Sequence, residues 1–242
     1  MIFNGKTDVG VKRQTNQDSF AVLPLEDGSV FAIVCDGMGG ANAGNVASSL
    51  AVKIITDFVE RSYRFGINYS SAVSILNNAI SSANLEIYDW ALKNPELKGM
   101  GTTVVASIIS KDFTAIAHVG DSRAYFVNED IHQITKDHSV VQSLIESGKL
   151  TPEEARVHPR RNVITRALGI EENIIPDNSE CNMNLNDTLL LCSDGLSNFV
   201  EADVIKNIIN NNSINTVADA LIAEANKNGG GDNITAVVVR KD

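Results

Sequence analysis

Apolar residues along this chain follow two rhythms, uninterrupted runs of strand length and recurrences every three or four residues. Val30-Phe31-Ala32-Ile33-Val34-Cys35 is a continuous run that ends at Asp36. Val46, Leu50, Ile54 and Phe58 then recur at four-residue spacing, which predicts a helix after that strand. Val73, Leu76, Ile80, Ile87 and Ala91 mark a second amphipathic helix over about 70–92. Strands are predicted next at 102–109, 113–119 and 124–127, joined by Ser110-Lys111-Asp112 and Gly120-Asp121. Connections this short predict antiparallel pairing of each consecutive pair. A strand at 188–192, helices near 202–210 and 216–226 and a last strand at 234–240 complete the pattern. Hairpin strands with helices in separate pairs indicate an α+β fold rather than a doubly wound sheet.

Residues 138 to 166 break that pattern. Two short helical pieces, 139–146 and 151–155, lead into Arg156, Arg160, Arg161 and Arg166, close to His158. The arginines read equally as a solvated face and as a phosphate contact. No Pro/Ser/Gly linker interrupts the 242 residues, so a single domain over 1–242 is expected, and Gly229-Gly230-Gly231 abuts Asp232 as part of a site rather than a linker.

Charge narrows the function. Twenty basic and thirty acidic residues leave a net charge of −10, which argues against a nucleic-acid partner. An anionic substrate must then be drawn by local cations or a metal. Three cysteines without a C-x-x-C pair argue against a disulfide framework or a structural zinc. No run approaches a membrane span, and the first six residues lack the regions of a signal peptide, so a cytoplasmic protein is expected.

Three acidic turns carry the candidate chemistry: Asp36-Gly37-Met38-Gly39-Gly40, Ser193-Asp194-Gly195 and Gly231-Asp232-Asn233, each following or opening an apolar run. Any one alone reads as an ordinary Asp-Gly-type turn. Together they offer three aspartates from strand ends, the rigid oxygen ligands that a hard divalent cation such as Mg²⁺ or Mn²⁺ takes. Arg13-Gln14-Thr15-Asn16-Gln17-Asp18, Gly101-Thr102-Thr103 and Gly120-Asp121-Ser122-Arg123 lie between and before them.

In order and spacing this series resembles the metal-dependent protein phosphatases of the 2C type, the PPM family, and in particular its compact bacterial members, over residues 7 to 239. The resemblance implies a four-layer αββα sandwich, two antiparallel sheets face to face with helices outside. It implies hydrolysis of phosphoserine and phosphothreonine in proteins by a hydroxide bridging two metal ions, in a monomer that opposes a bacterial Ser/Thr kinase. Asp36 would bridge the two Mn²⁺ or Mg²⁺ ions and the Gly37 carbonyl would join one, while Asp194 and Asp232 hold the other. Asp121 with Asp194 would hold a third, weaker ion. Arg13 would bind the phosphate and Asp18 would orient a metal-bound water from behind. The segment at 138–166 would be a mobile flap in which Arg160 and Arg161 select the protein substrate.

The sequence departs from part of the family at one place. Met38 stands where some members carry a histidine acid, and Ala41 replaces another frequent histidine, so the resemblance leaves the leaving-group proton to metal-bound water or an unassigned donor, with His118, His132, His138 and His158 as candidates. Two other readings fit the residues less well. Strand, Gly37-Met38-Gly39-Gly40 and helix mimic a dinucleotide-binding turn, but Asn42 takes the place of the third glycine and Asp36 would repel a pyrophosphate. A pseudophosphatase that only binds phosphoproteins would not need the full aspartate set together with Arg13.

Overall fold

The computed structural model describes residues 1–40 and 43–242. Strands β1 (Ile2–Asp8), β2 (Asp18–Pro24) and β3 (Val30–Met38) precede helices α1 (Ala43–Ser62) and α2 (Tyr69–Lys93). Five strands follow: β4 (Gly101–Thr102), β5 (Val104–Ile109), β6 (Thr114–Val119), β7 (Arg123–Val127) and β8 (Ile131–Gln133). Short helices α3 (Val140–Glu146) and α4 (Pro152–Arg156) lead to β9 (Asp177–Cys181) and β10 (Thr188–Cys192). Helices α5 (Asp194–Ser197), α6 (Ala202–Asn211) and α7 (Ile214–Lys227) precede β11 (Ile234–Arg240).

The strands form two antiparallel sheets, ordered β1-β11-β10-β7-β8 and β2-β3-β5-β6-β9, with β4 paired to β3. Helices α1 and α2 cover the outer face of the second sheet, and α6 and α7 that of the first. This is the α+β, four-layer αββα arrangement. It explains the uninterrupted runs, because a central strand is covered on both faces. In β3, Phe31, Ile33 and Cys35 face α1 and α2 while Val30, Ala32 and Val34 face the other sheet. In β10, Leu190 and Cys192 face α6 and α7 while Leu189 and Leu191 enter the layer between the sheets.

Helix α1 lies where the four-residue spacing predicts it; its fully buried line is Ala43, Ala47, Ala51, Ile55 and Val59, with Val46, Leu50, Ile54 and Phe58 partly buried beside them. Small side chains on that line let the helix lie close to the sheet. One expectation is corrected: strands β6 and β7 do not pair. The connection at Gly120-Asp121-Ser122 turns a corner from one sheet into the other, through Gly120 at φ +109°, a conformation that suits glycine. The corner sets Asp121 at the rim between the sheets.

The segment after β8 is closed at its base. Ser139 and Ile164 form an isolated antiparallel bridge, Val140 N–H donates to the Val163 carbonyl at 2.9 Å, and Thr165 N–H to that of His138 at 2.8 Å. Thr151 and Glu154 form a reciprocal capping box that starts α4. Among the described residues no helix is long and apolar enough to cross a membrane.

Candidate active site

Asp36 is delivered by β3, whose residues Val30–Cys35 are all buried, and is held there by its neighbours. The β2–β3 register sets Asp18 directly across from it. Thr103 receives the Asp36 N–H on Oγ1 at 3.0 Å, and its own N–H donates to the Asp36 carbonyl at 2.8 Å. Thr102 Oγ1 donates to the same carbonyl at 2.9 Å. The Gly101-Thr102-Thr103 motif thus clamps the strand end. Thr103 Oγ1 also meets Ser122 Oγ at 2.7 Å, which ties that clamp to the corner carrying Asp121. Gly37 follows in a confined place, since a Cβ there would stand 2.0 Å from the Gly44 carbonyl oxygen at the start of α1.

Asp194 is the first residue of α5 and Asp232 lies just before β11. The two turns touch: a Cβ on Gly195 would meet the Asn233 carbonyl oxygen at 1.8 Å, so only glycine lets them approach. Asn233 also organises the loop between β1 and β2. Its Nδ2 donates to the carbonyls of Val9 and Thr15 at 2.9 and 3.0 Å, and its Oδ1 accepts from Gln17 N–H at 2.9 Å. Val11 and Lys12 add N–H donations to the Gly230 carbonyl. This loop carries Arg13, whose Nη2 donates to Asp232 Oδ2 at 2.8 Å with half of the arginine side chain exposed.

One cleft of about 630 Å³ is lined by Asp36, Gly37, Asp121, Asp194, Asp232 and Arg13. Lys12 is a second cation in the lining. Asp18 is buried behind it, where Oδ2 accepts from Ser193 Oγ and Thr235 Oγ1, both at 2.7 Å. Arg160 and Arg161 do not line the cleft. Arg161 lines a neighbouring cavity of about 580 Å³ that shares Asp121 and Asp194 with it. The arginine cluster is also divided: Arg156 is paired with Glu201, and Arg166 with Asp177. Of the candidate proton donors, His118 and His138 stack at 4.8 Å and His138 Nδ1 accepts the Gly120 N–H at 3.0 Å, supporting the corner rather than reaching the cleft. His132 and His158 are likewise absent from the lining. Met38 lines the cleft, whereas Ala41 and Asn42 lie outside the described residues.

Crowded acids cannot all ionise here. Burial, then the charges of Asp18, Asp194, Asp121 and Asp232, push the Asp36 carboxyl well above the ordinary carboxylate range. Burial, then the Asp194 charge, does the same to Asp121. Burial raises Asp18 to about 7 against the hydrogen bonds from Ser193 and Thr235, and burial together with Asp232 raises Asp194 to about 6. Four carboxylates against Lys12 and Arg13 leave the cleft acidic, a poor receptor for a phosphate dianion unless cations compensate.

The residues fit such cations. Oδ1 of Asp194, in the lining, and Oδ1 of Asp18, behind it, are both buried without a hydrogen-bond partner. Among the described residues no group of three or more His, Cys, Asp or Glu side chains is already arranged around one ion position. Mg²⁺ does not need such a group, since it keeps several waters and binds through one or two carboxylates.

A pH dependence follows with a definite sign. Asp18 and Asp194 have folded values near 7 and 6, above the ordinary 3.8. Their contribution to stability is therefore fully present below about pH 4 and is lost as pH rises through 6 and 7. Metal-free protein should lose thermal stability over that range, and Mn²⁺ should restore it, more at pH 8 than at pH 5.5, because cations displace those protons. Melting curves at the two pH values with and without Mn²⁺ check this; an equal Mn²⁺ effect at both would contradict it.

Comparison with known proteins gives a consistent result. A family model described as protein phosphatase 2C matches residues 10–229. The serine/threonine phosphatase stp of Listeria monocytogenes is 39% identical over 239 residues, covering 98% of this chain and 94% of that protein. The crystal structure of serine/threonine phosphatase Stp1 from Staphylococcus aureus superposes with a TM-score of 0.93 at 37% identity, over 99% of this chain and 94% of that one. The catalytic domain of serine threonine protein phosphatase PstP, in complex with two manganese ions, superposes with a TM-score of 0.87 at 32% identity, over 100% of this chain and 98% of that one.

Proposed function

The chain belongs to the protein phosphatase 2C family, and on that premise we propose that it is a metal-dependent serine/threonine protein phosphatase of the bacterial type, opposing a Ser/Thr kinase. The observation that carries this reading is the convergence of Asp36, Asp121, Asp194 and Asp232 with Arg13 on one acidic cleft. When bound, two divalent cations would supply a hydroxide nucleophile near neutral pH and neutralise the phosphoryl oxygens.

The chain's own residues have separable tasks. Asp36, the carboxyl on which the other acids act, would hold both ions, with the Gly37 carbonyl joining one and Asp194 and Asp232 holding the other. Asp121 with Asp194 would hold a weaker third ion. Asp18, fixed by Ser193 and Thr235 through one oxygen, keeps the other buried without a partner and would orient a water at the cation site from behind. Arg13 stands at the rim. Its half-exposed pairing with Asp232 is weak enough to exchange for a phosphate oxygen. With no histidine in the described lining, the departing serine or threonine oxygen takes its proton from water in the cleft. Residues 138–166 form the flap beside it, from which Arg160 and Arg161 would meet the protein around the phosphosite.

The direct test is phosphate release from a phosphothreonine peptide with and without Mn²⁺; no release in Mn²⁺ refutes the reading. Arg13→Ala should lower kcat/KM by roughly ten- to a hundredfold, the effect of a charge-assisted contact of about 1.5–3 kcal/mol. Metal affinity, read by calorimetry, should barely change, and loss of tight Mn²⁺ binding would reassign Arg13 to holding Asp232.

A further inference from the structure

A second depression, of about 400 Å³, adjoins the catalytic cleft, and Met38 and Ile164 line both. Its other apolar walls are Ala167, Ile170, Ile174 and Ile175. Ile170 and Ile175 are 43% and 80% exposed, so the apolar surface is open to solvent beside the reaction centre. Gly101 lies close against two of these walls: a Cβ there would stand 3.0 Å from Ile170 Cδ1 and 3.1 Å from Met38 Cε.

The wall is rigid, because its backbone is pinned from three sides. Buried Asn84 of α2 donates to the carbonyls of Glu171 and Glu172 at 3.0 and 2.9 Å and accepts the Gly169 N–H at 2.8 Å. Thr102 and Leu168 exchange backbone hydrogen bonds at 3.2 and 2.8 Å. Arg166 donates to Asp177 Oδ1 at 2.7 Å and to the Ile175 carbonyl.

Those same bonds decide what the depression can accept. The guanidinium of Arg166 is committed to Asp177 and Ile175, so it does not attract an acidic group. Glu171 lies at the rim and makes no ion pair among the described residues, so it repels one. What remains is a preformed apolar surface at the small end of ligand-pocket sizes, room for one or two side chains.

Resting on the phosphatase reading above, we propose that this depression is a specificity subsite that takes an apolar side chain of the substrate protein, of leucine size, within about three residues of the phosphorylated residue. An extended chain advances about 3.3 Å per residue, and a surface sharing two walls with the cleft is reached within the first few steps. Binding there would bury leucine against Ile170 and Ile175 and would favour substrates with an apolar residue near the phosphosite over acidic ones.

The test is a set of phosphothreonine peptides in which one leucine is moved through the three positions on either side of the phosphoresidue in a serine background. In Mn²⁺, one position should raise kcat/KM about tenfold over the all-serine peptide, the range a buried apolar side chain confers. Ile170→Asn, and separately Ile175→Asn, should reduce that ratio toward one while the all-serine peptide is turned over as before. Using two exposed positions guards against a folding defect in either. The same comparison of affinities by fluorescence anisotropy reads the subsite without turnover. A wild-type protein indifferent to leucine at every position, or a leucine preference unchanged in both variants, overturns the proposal. Failure to hydrolyse any phosphomonoester would instead count against the phosphatase reading, and anisotropy would still decide the subsite.

Discussion

Asp36→Asn should abolish phosphate release while leaving a folded protein. Loss of a group that merely supports a ligand lowers activity by about 10–100-fold; Asp36 is the carboxyl on which Asp18, Asp194, Asp121 and Asp232 all act, so its removal should exceed that range. The amide has nearly the same shape and still leaves the Thr102 and Thr103 clamp on the backbone intact. It also removes one acid from a crowded group. Metal-free Asp36→Asn should therefore melt no lower than metal-free wild type at pH 8, and Mn²⁺ should raise its melting temperature less. A variant that unfolds would show that the carboxyl holds the strand rather than the cation, and one retaining a tenth of the activity would remove Asp36 from the centre of the chemistry.

Gly37→Ala should fail for the opposite reason, through the backbone. The added methyl would stand 2.0 Å from the Gly44 carbonyl oxygen, 2.4 Å from its carbon and 2.7 Å from the Gln17 carbonyl oxygen. These are main-chain atoms of α1 and of the segment entering β2, and neither can rotate aside. Overpacking of this kind costs about 1–3 kcal/mol, sometimes more, equivalent to a fall in Tm of roughly 2–12 °C at this chain length. Relief of the clash would move the end of β3 against α1 and carry Asp36 with it. A displacement of about 1 Å can lower a rate by about a hundredfold, so kcat should fall well beyond what the lost stability explains at 25 °C. Wild-type Tm and kcat in this variant would show that the contact can relax and that glycine is not required there.

The aspartates were legible because each ends or opens an apolar run, and a run covered on both faces leaves a plain signature, as β3, β10 and β11 do. Edge strands leave little. In β9, Asp177–Cys181, one neighbour and a wet face allow a polar sequence, and β1 hides at the start of the chain against β11 alone. The β6–β7 connection reads as a hairpin because a two-residue glycine turn looks the same in sequence whether it closes a hairpin or rounds a corner between sheets. Groups that act through distant hydrogen bonds were the least visible. Asn233 stands in a quoted motif, yet its role depends on Val9, Thr15 and Gln17, which no local pattern links to it. Asn84 did carry a signal, a polar residue set among Leu76, Ile80 and Ile87 on the buried face of α2, where an unpaired amide would be expensive. Arg13 and Asp232 meet across 219 positions, so sequence could suggest each but not their pairing.

The central claim, that Asp36, Asp194 and Asp232 with the Gly37 carbonyl make this cleft a two-cation phosphatase centre, is tested most directly by isothermal titration of Mn²⁺ into chelator-stripped protein, with phosphate release followed on the same samples. Two ions bound tightly per chain, activity that appears only as the second fills, and loss of both in Asp36→Asn is the predicted result. Full activity in stripped protein, or Mn²⁺ binding unaltered by Asp36→Asn, would contradict it.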